Sequence, residues 1–157
     1  MRTFMKSIAL LVALALVQAR ADWEYTHWGM TPEQVASASK GAVNEIPPAQ
    51  RDKGGITESA AKGTYSDGAM KMSVGFLFDT KTEGLICVVY SVLDAAQNEM
   101  LEAAMVKRYG PPDHSFDVPR MGKDLTWKNK TDSIELVGGA SGSPSQVTHC
   151  KAGAQFY

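Results

Sequence analysis

The sequence has little of what marks a nucleic-acid-binding protein or a metalloprotein. Its 157 residues include 16 basic and 17 acidic ones, a formal charge of −1, so it has no basic surplus to neutralise phosphates. It has only three histidines and two cysteines, and none of them shows the spacing of a zinc site or of a C-x-x-C redox motif. We therefore expect no nucleic-acid partner, no metal and no cofactor.

The common catalytic motifs are also missing. Residues 139–143 (GASGS) begin like a G-x-S-x-G nucleophile elbow but end in serine instead of glycine. Neither Gly54-Gly55 nor Gly138-Gly139 precedes the Lys-Ser or Lys-Thr pair of a phosphate-binding loop. We predict no catalytic residues and a protein that is not an enzyme; an enzyme of an unrecognised type is the weakest alternative.

A long hydrophobic run is absent as well, but a short one lies near the start. Basic residues precede an unbroken apolar run over residues 8–17, which as a helix would span only about 15 Å, half of a bilayer core. Ala19 and Ala21 supply the small residues of a signal-peptidase site. We predict that residues 1–21 are a secretory signal peptide, cleaved between Ala21 and Asp22, and that the protein is periplasmic or secreted.

The remaining residues, 22–157, are predicted to form a single domain that does not span a membrane. Without the three basic residues of the signal peptide, thirteen basic residues face seventeen acidic ones, a formal charge of −4. Export would place Cys87 and Cys150 where disulfides persist, and we predict that they are bridged. The alternative is two separate thiols, with Cys87 a small apolar residue inside a strand.

Two helices are predicted from their start and stop signals. Thr31, Pro32 and Gln34 provide an N-cap, a first-turn proline and a capping box. A second helix is predicted from Asp94 to Tyr109, where Gly-Pro-Pro follows.

The rest of the chain is predicted to form strands and loops. Strict alternation over residues 70–78 and an apolar run over residues 85–93 predict two neighbouring strands. Residues 42–61 are predicted to be a long loop, residues 113–123 a loop, and residues 138–145 a flexible segment. We expect an α+β fold: an antiparallel sheet of about five to six strands with two helices packed on one face. Its order of helix, three strands, helix, three strands is compatible with an αβββ duplication.

An aromatic cluster begins the predicted mature chain. Trp28 is predicted to pack under the first helix. Trp23 and Tyr25 are candidate contacts for a partner, because Trp and Tyr contribute disproportionately to interface energy. The alternative is a packing role alone, in which Trp28 lies under the first helix and helps to fill the core.

Residues 28–35 (WGMTPEQV) resemble the "WG-x-(S/T)-x-x-x-V" helix opening of small exported bacterial proteins. The hairpin, the strand from Gly84 and the helix ending in Tyr-Gly-Pro are similar in order to uncharacterised envelope proteins. More distantly, they are similar to the outer-membrane assembly lipoproteins and the β-lactamase-inhibitor-like fold. The chain lacks the lipid-bearing cysteine of the assembly lipoproteins. The resemblance implies a protein-binding or scaffold role.

Together these features predict a non-catalytic periplasmic binding or scaffold module whose partner is another envelope or secreted protein. The sheet face or residues 42–61 would make the contact. The alternative function is inhibition of a secreted hydrolase of the lysozyme or β-lactamase type, with residues 42–61 or 138–145 entering the active-site cleft.

Overall fold

The computed structural model describes residues 22–120 and 122–155, and in this part of the chain it contains two α-helices and one antiparallel sheet of nine strands. The helices are α1 (Pro32–Ala38) and α2 (Asn98–Tyr109). The strands are β1 (Val43–Glu45), β2 (Asp52–Gly54), β3 (Thr57–Asp67), β4 (Met70–Asp79), β5 (Leu85–Val92), β6 (His114–Val118), β7 (Gly122–Lys128), β8 (Asp132–Gly139) and β9 (Gln146–Lys151). The predicted signal peptide lies outside the described residues.

The sheet joins two antiparallel meanders side by side. Its strand order is β1-β3-β4-β5-β9-β8-β7-β6, with β2 also paired to β3. The first meander, β3 to β5, and the second, β6 to β9, are connected in sequence by α2 and meet where β5 pairs with β9. We call this β5–β9 junction the seam.

The expected sheet of five to six strands is wrong, because the described part of the chain forms a sheet of nine. The predicted loop over residues 42–61 contains β1 and β2, which both pair with β3, and the predicted loop over residues 113–123 contains β6. Strands of three to five residues are too short to show a period in the sequence, and they form here because a neighbouring strand supplies their hydrogen bonds. The αβββ duplication also fails, since α1 is followed by five strands and α2 by four.

The helix signals are confirmed. Thr31 and Gln34 form the predicted capping box, with distances of 3.3 Å from the Gln34 amide to the Thr31 hydroxyl and 2.9 Å from the Thr31 amide to the Gln34 side chain. Asp94 caps a short 3₁₀ turn through the Ala96 amide, and α2 follows it and ends at Gly110, whose φ is 84°. No helix in the described part of the chain is long and apolar enough to cross a bilayer.

The two faces of the sheet differ. Alternate residues of β4 are buried, from Met70 to Phe78. Both helices and the segment over residues 22–30 contribute side chains to the same buried cluster, so this side is the core face. The other side is the open face.

The predicted disulfide is confirmed. Cys87 in β5 and Cys150 in β9 are directly opposite each other, with their Cα atoms 4.0 Å apart, and they are bonded. Both residues are buried, with 0% and 2% of their surface exposed. The bridge therefore links the two meanders at the seam.

Candidate functional site

The open face is a continuous surface across six strands. Its central row contains Lys62, Gly75, Val89 and Thr148, which are direct cross-strand neighbours. The described helices pack on the other side, and the residues of this row are exposed or half-buried. The surface is therefore available to a partner.

A groove crosses the first half of the open face. One wall is formed by residues 44–47, between β1 and the following 3₁₀ turn, and the floor by residues of β3, β4, β5 and β9. The volume is about 660 Å³. We call this the Gly75 groove, because Gly75 lies in the middle of its floor.

The backbone and the surroundings of Gly75 would accommodate a Cβ. Its φ is not positive, and a Cβ added to it would meet nothing nearer than the Val89 carbonyl oxygen at 4.0 Å. Gly63 on the neighbouring strand is the contrast, since a Cβ there would clash with the Ala42 carbonyl oxygen. A strand-interior glycine costs roughly 0.5–1 kcal/mol relative to alanine, and close approach of another backbone is one of the reasons for which strands contain one.

The chemistry of the groove is polar and nearly neutral. Hydroxyl and amide side chains line the floor around Gly75, at Thr64, Ser73, Ser91 and Gln146. The charged lining residues are Lys62 and Glu45, one of each sign. Such a surface suits the mixed polar and apolar contacts of a protein interface rather than a highly charged ligand.

The two predicted contact residues lie away from this surface. Trp23 is 2% exposed and its ring packs against Tyr65, Phe76 and Tyr90, with centroid distances of 5.2, 5.7 and 5.5 Å. Tyr25 is half-buried beside it, and burial, followed by the charge of Glu24, raises the pKa of Tyr25 to about 12. In this structure Trp23 is part of the core and has no free surface for a partner.

The segment over residues 138–145, predicted to be flexible, is held against the start of α2. The Asn98 side chain donates to the Ser143 carbonyl oxygen over 2.8 Å and accepts from the Ser145 amide over 2.7 Å. Both the nitrogen and the oxygen of the Asn98 side-chain amide are therefore hydrogen-bonded to this segment. It is therefore not a free loop that projects into a partner.

A buried polar cluster lies on the core face next to the seam. His149 is 1% exposed, and its Nε2 lies 3.0 Å from Asp132 Oδ1, which also accepts from Trp28 Nε1 over 3.3 Å. The rings of Trp28 and Tyr109 pack edge-on against the imidazole, with centroid distances of 5.4 and 6.0 Å. Sequence reasoning missed this cluster, because its members come from four separate parts of the chain.

Burial and hydrogen bonding shift the pKa values of the two titratable members of the cluster in the folded protein. Burial lowers the pKa of His149, although the hydrogen bond that its ring donates to the Asp132 carboxylate opposes this, so the fold favours the neutral imidazole. Burial raises the pKa of Asp132, but hydrogen bonds from Thr131 and His149 outweigh it and leave that pKa below its usual value. The imidazole is buried, and the rings of Trp28 and Tyr109 pack against it.

This arrangement predicts a loss of stability in mild acid. The native pKa of His149 lies below the ordinary value of 6.5, so the unfolded chain binds the proton first and the free energy of unfolding falls as the pH drops below about 6.5. In His149→Gln, urea unfolding at pH 7.5, 6.5 and 5.5 should show a smaller dependence on pH. The exposed His114 is the control, and an equal change in His114→Gln would contradict the assignment.

In the described ranges, 22–120 and 122–155, no group of three or more His, Cys, Asp or Glu residues is arranged to hold a metal ion. Comparison of the chain with protein-family models, with curated proteins and with solved structures found no match.

Proposed function

We propose that the chain is a non-catalytic protein-binding module of the bacterial cell envelope, and that it binds another exported protein through the open face of the sheet. The observation that carries this proposal is Gly75. A glycine whose surroundings would accommodate a Cβ lies at the centre of an uncovered sheet face, where a side chain would keep a partner away.

The size of the open face supports the proposal. Its six strands, in the sheet order β3, β4, β5, β9, β8 and β7, together span about 24 Å perpendicular to the strands. Each strand has six to eleven residues, so the face has a similar extent along the strands. That is on the order of 600 Å² in projection, comparable with the roughly 800 Å² that each partner buries in a stable complex. A non-obligate interface of this kind is about as polar as the rest of a protein surface.

A position-specific photo-crosslinker tests which surface binds. The crosslinking amino acid is placed at Ser73 or Gln146, both exposed on the open face, and as controls at Glu33 on α1 or Lys107 on α2. Expressed in the native cells, the first two variants should capture the same protein and the controls should not. Capture at all four positions, or at the controls alone, would refute the proposal. The identity of the captured protein distinguishes a structural partner from a secreted hydrolase.

Substitution of Gly75 separates binding from folding. In Gly75→Thr the free energy of unfolding should stay the same or rise by about 1 kcal/mol, because threonine favours strands and the added Cβ meets no clash. Crosslinking from Gln146 should fall at least tenfold. Gly63→Thr is the matched contrast, and it should be destabilised because of the Ala42 backbone. Crosslinking that survives in Gly75→Thr would contradict the role of the groove.

Export is the second part of the proposal. Asp22, the expected first residue after cleavage, already belongs to the folded domain, since its amide donates to the Thr26 carbonyl oxygen over 2.9 Å. Mass spectrometry of the protein from fractionated cells should find a chain that begins at Asp22 in the periplasmic or secreted fraction. A chain that retains its first 21 residues in the cytoplasm would contradict it.

A further inference from the structure

The second meander ends in an unprotected strand. β6 pairs with β7 on one side, and in the described part of the chain no strand pairs with its other side. His114 to Asp117 are all exposed, and Phe116 has 54% of its surface exposed. An edge of this kind offers a row of backbone donors and acceptors to another extended chain.

The opposite edge of the sheet is protected. There β1 and β2, three residues each, divide the length of β3 between them. Pro47 and Pro48 lie between these two strands. Short edge strands and prolines are the usual means of preventing edge pairing. β6 is flanked by Pro112 and Pro119, but its five residues contain no proline and form one continuous edge, longer than β1 or β2.

The two faces of β6 offer different chemistry. His114, Phe116 and Val118 alternate along the open-face side, since Phe116 is opposite Asp124 and His114 opposite Thr126. Ser115 and Asp117 lie on the core-face side, opposite Leu125 and Lys123. The edge therefore has an apolar side with an aromatic ring and an acidic side.

The charge near the acidic side favours a basic partner. Asp117 shares a groove with Glu99 and Glu102 of α2. Lys123 is already engaged, because its Nζ lies 2.8 Å from both carboxylate oxygens of Glu102. Arg120 is the other basic residue that lines the groove, so the carboxylates outnumber the available cations.

A second copy of this chain fits the edge less well. A two-fold pairing centred on Phe116 would place the Asp117 side chains of the two copies diagonally, about 7 Å apart. Two carboxylates at that distance repel each other weakly in water. A different strand with Lys or Arg on this side would instead be attracted.

We propose that the free edge of β6 binds an extended segment of a partner protein, in which Lys or Arg residues alternate with apolar ones. The basic side chains face Asp117, and the apolar ones cover Phe116 and Val118. The segment adds a further strand to the sheet. This proposal does not depend on the Gly75 groove, and it gives the protein a second surface at the far end of the same sheet.

Short labelled peptides test the edge with the purified protein. Fluorescence anisotropy compares the probe KVKVKVK with EVEVEVE and with KVKPKVK, whose central proline interrupts a strand. KVKVKVK should bind at least tenfold more tightly than either of the others. Amide exchange of β6 residues should slow when it binds, which a purely electrostatic contact would not cause. Equal affinities, or unchanged exchange in β6, would overturn the proposal.

Two variants of the protein complete the test. Asp117→Lys, at an exposed position, should reverse the preference so that EVEVEVE binds more tightly. Glu33→Lys makes the same change of charge on the exposed surface of α1 and should leave the preference intact. If both variants act alike, the edge is not the site. A concentration-dependent dimer in analytical ultracentrifugation that Phe116→Asp abolishes would also overturn the proposal, because a second copy would then occupy β6.

Discussion

Reduction of the Cys87–Cys150 disulfide is expected to lower the free energy of unfolding by about 4 kcal/mol. The bridge closes a loop with a sequence separation of 63, and a loop of that length restricts the unfolded chain by roughly this amount. Its position adds a second reason. The first three strands of the second meander lie between β5 and β9 in the sequence, so the bridge links the most non-local strand pair of the sheet.

Urea unfolding with and without a thiol reductant measures this loss. The Cys87→Ala/Cys150→Ala variant should unfold at the same urea concentration in both buffers, close to the midpoint of the reduced wild-type protein. A shift of the wild-type midpoint that corresponds to less than 1 kcal/mol would contradict the expected role of the bridge. The double variant also controls for direct effects of the reductant on the rest of the protein.

Features specified within a few residues could be predicted from the sequence. Thr31 and Gln34 are three positions apart, so their capping box is visible in the sequence and is present in the structure. The alternation of β4 is equally local, and all five of its apolar positions from Met70 to Phe78 are buried. In both cases the residues that form the pattern belong to a single helix or strand and its cap.

Features that depend on a distant strand could not be predicted in the same way. β1 and β2 have no period of their own and exist because β3 is long enough to pair with both. The strand order also depends on distant parts of the chain. Nothing in the sequence near Cys87 indicates that β9, rather than an earlier strand, lies beside β5. The pair of cysteines was the one sequence feature that pointed across the seam.

The candidate site could be predicted from the sequence only in part. An isolated glycine in an otherwise regular strand pattern is a sequence signal of close backbone approach, and Gly75 has that pattern. Whether a side chain could replace the glycine depends on the neighbouring segments of the chain. At Gly63 a Cβ would clash with the Ala42 backbone, and at Gly75 a Cβ would lie in open space. Only the structure separates a glycine needed for packing from one available for binding.

Substitution of Trp23 tests whether this residue belongs to the hydrophobic core or contacts a partner. Trp23→Ala should lower the free energy of unfolding by about 3–5 kcal/mol, because it removes a 2% exposed ring that packs against Tyr65, Phe76 and Tyr90. Leu93→Ala is the control, since Leu93 is 57% exposed and its loss should cost less than about 1 kcal/mol. Both are measured by urea unfolding. If Trp23→Ala folds with near wild-type stability but loses the crosslinked partner, then Trp23 is a binding residue and its place in the core is wrong.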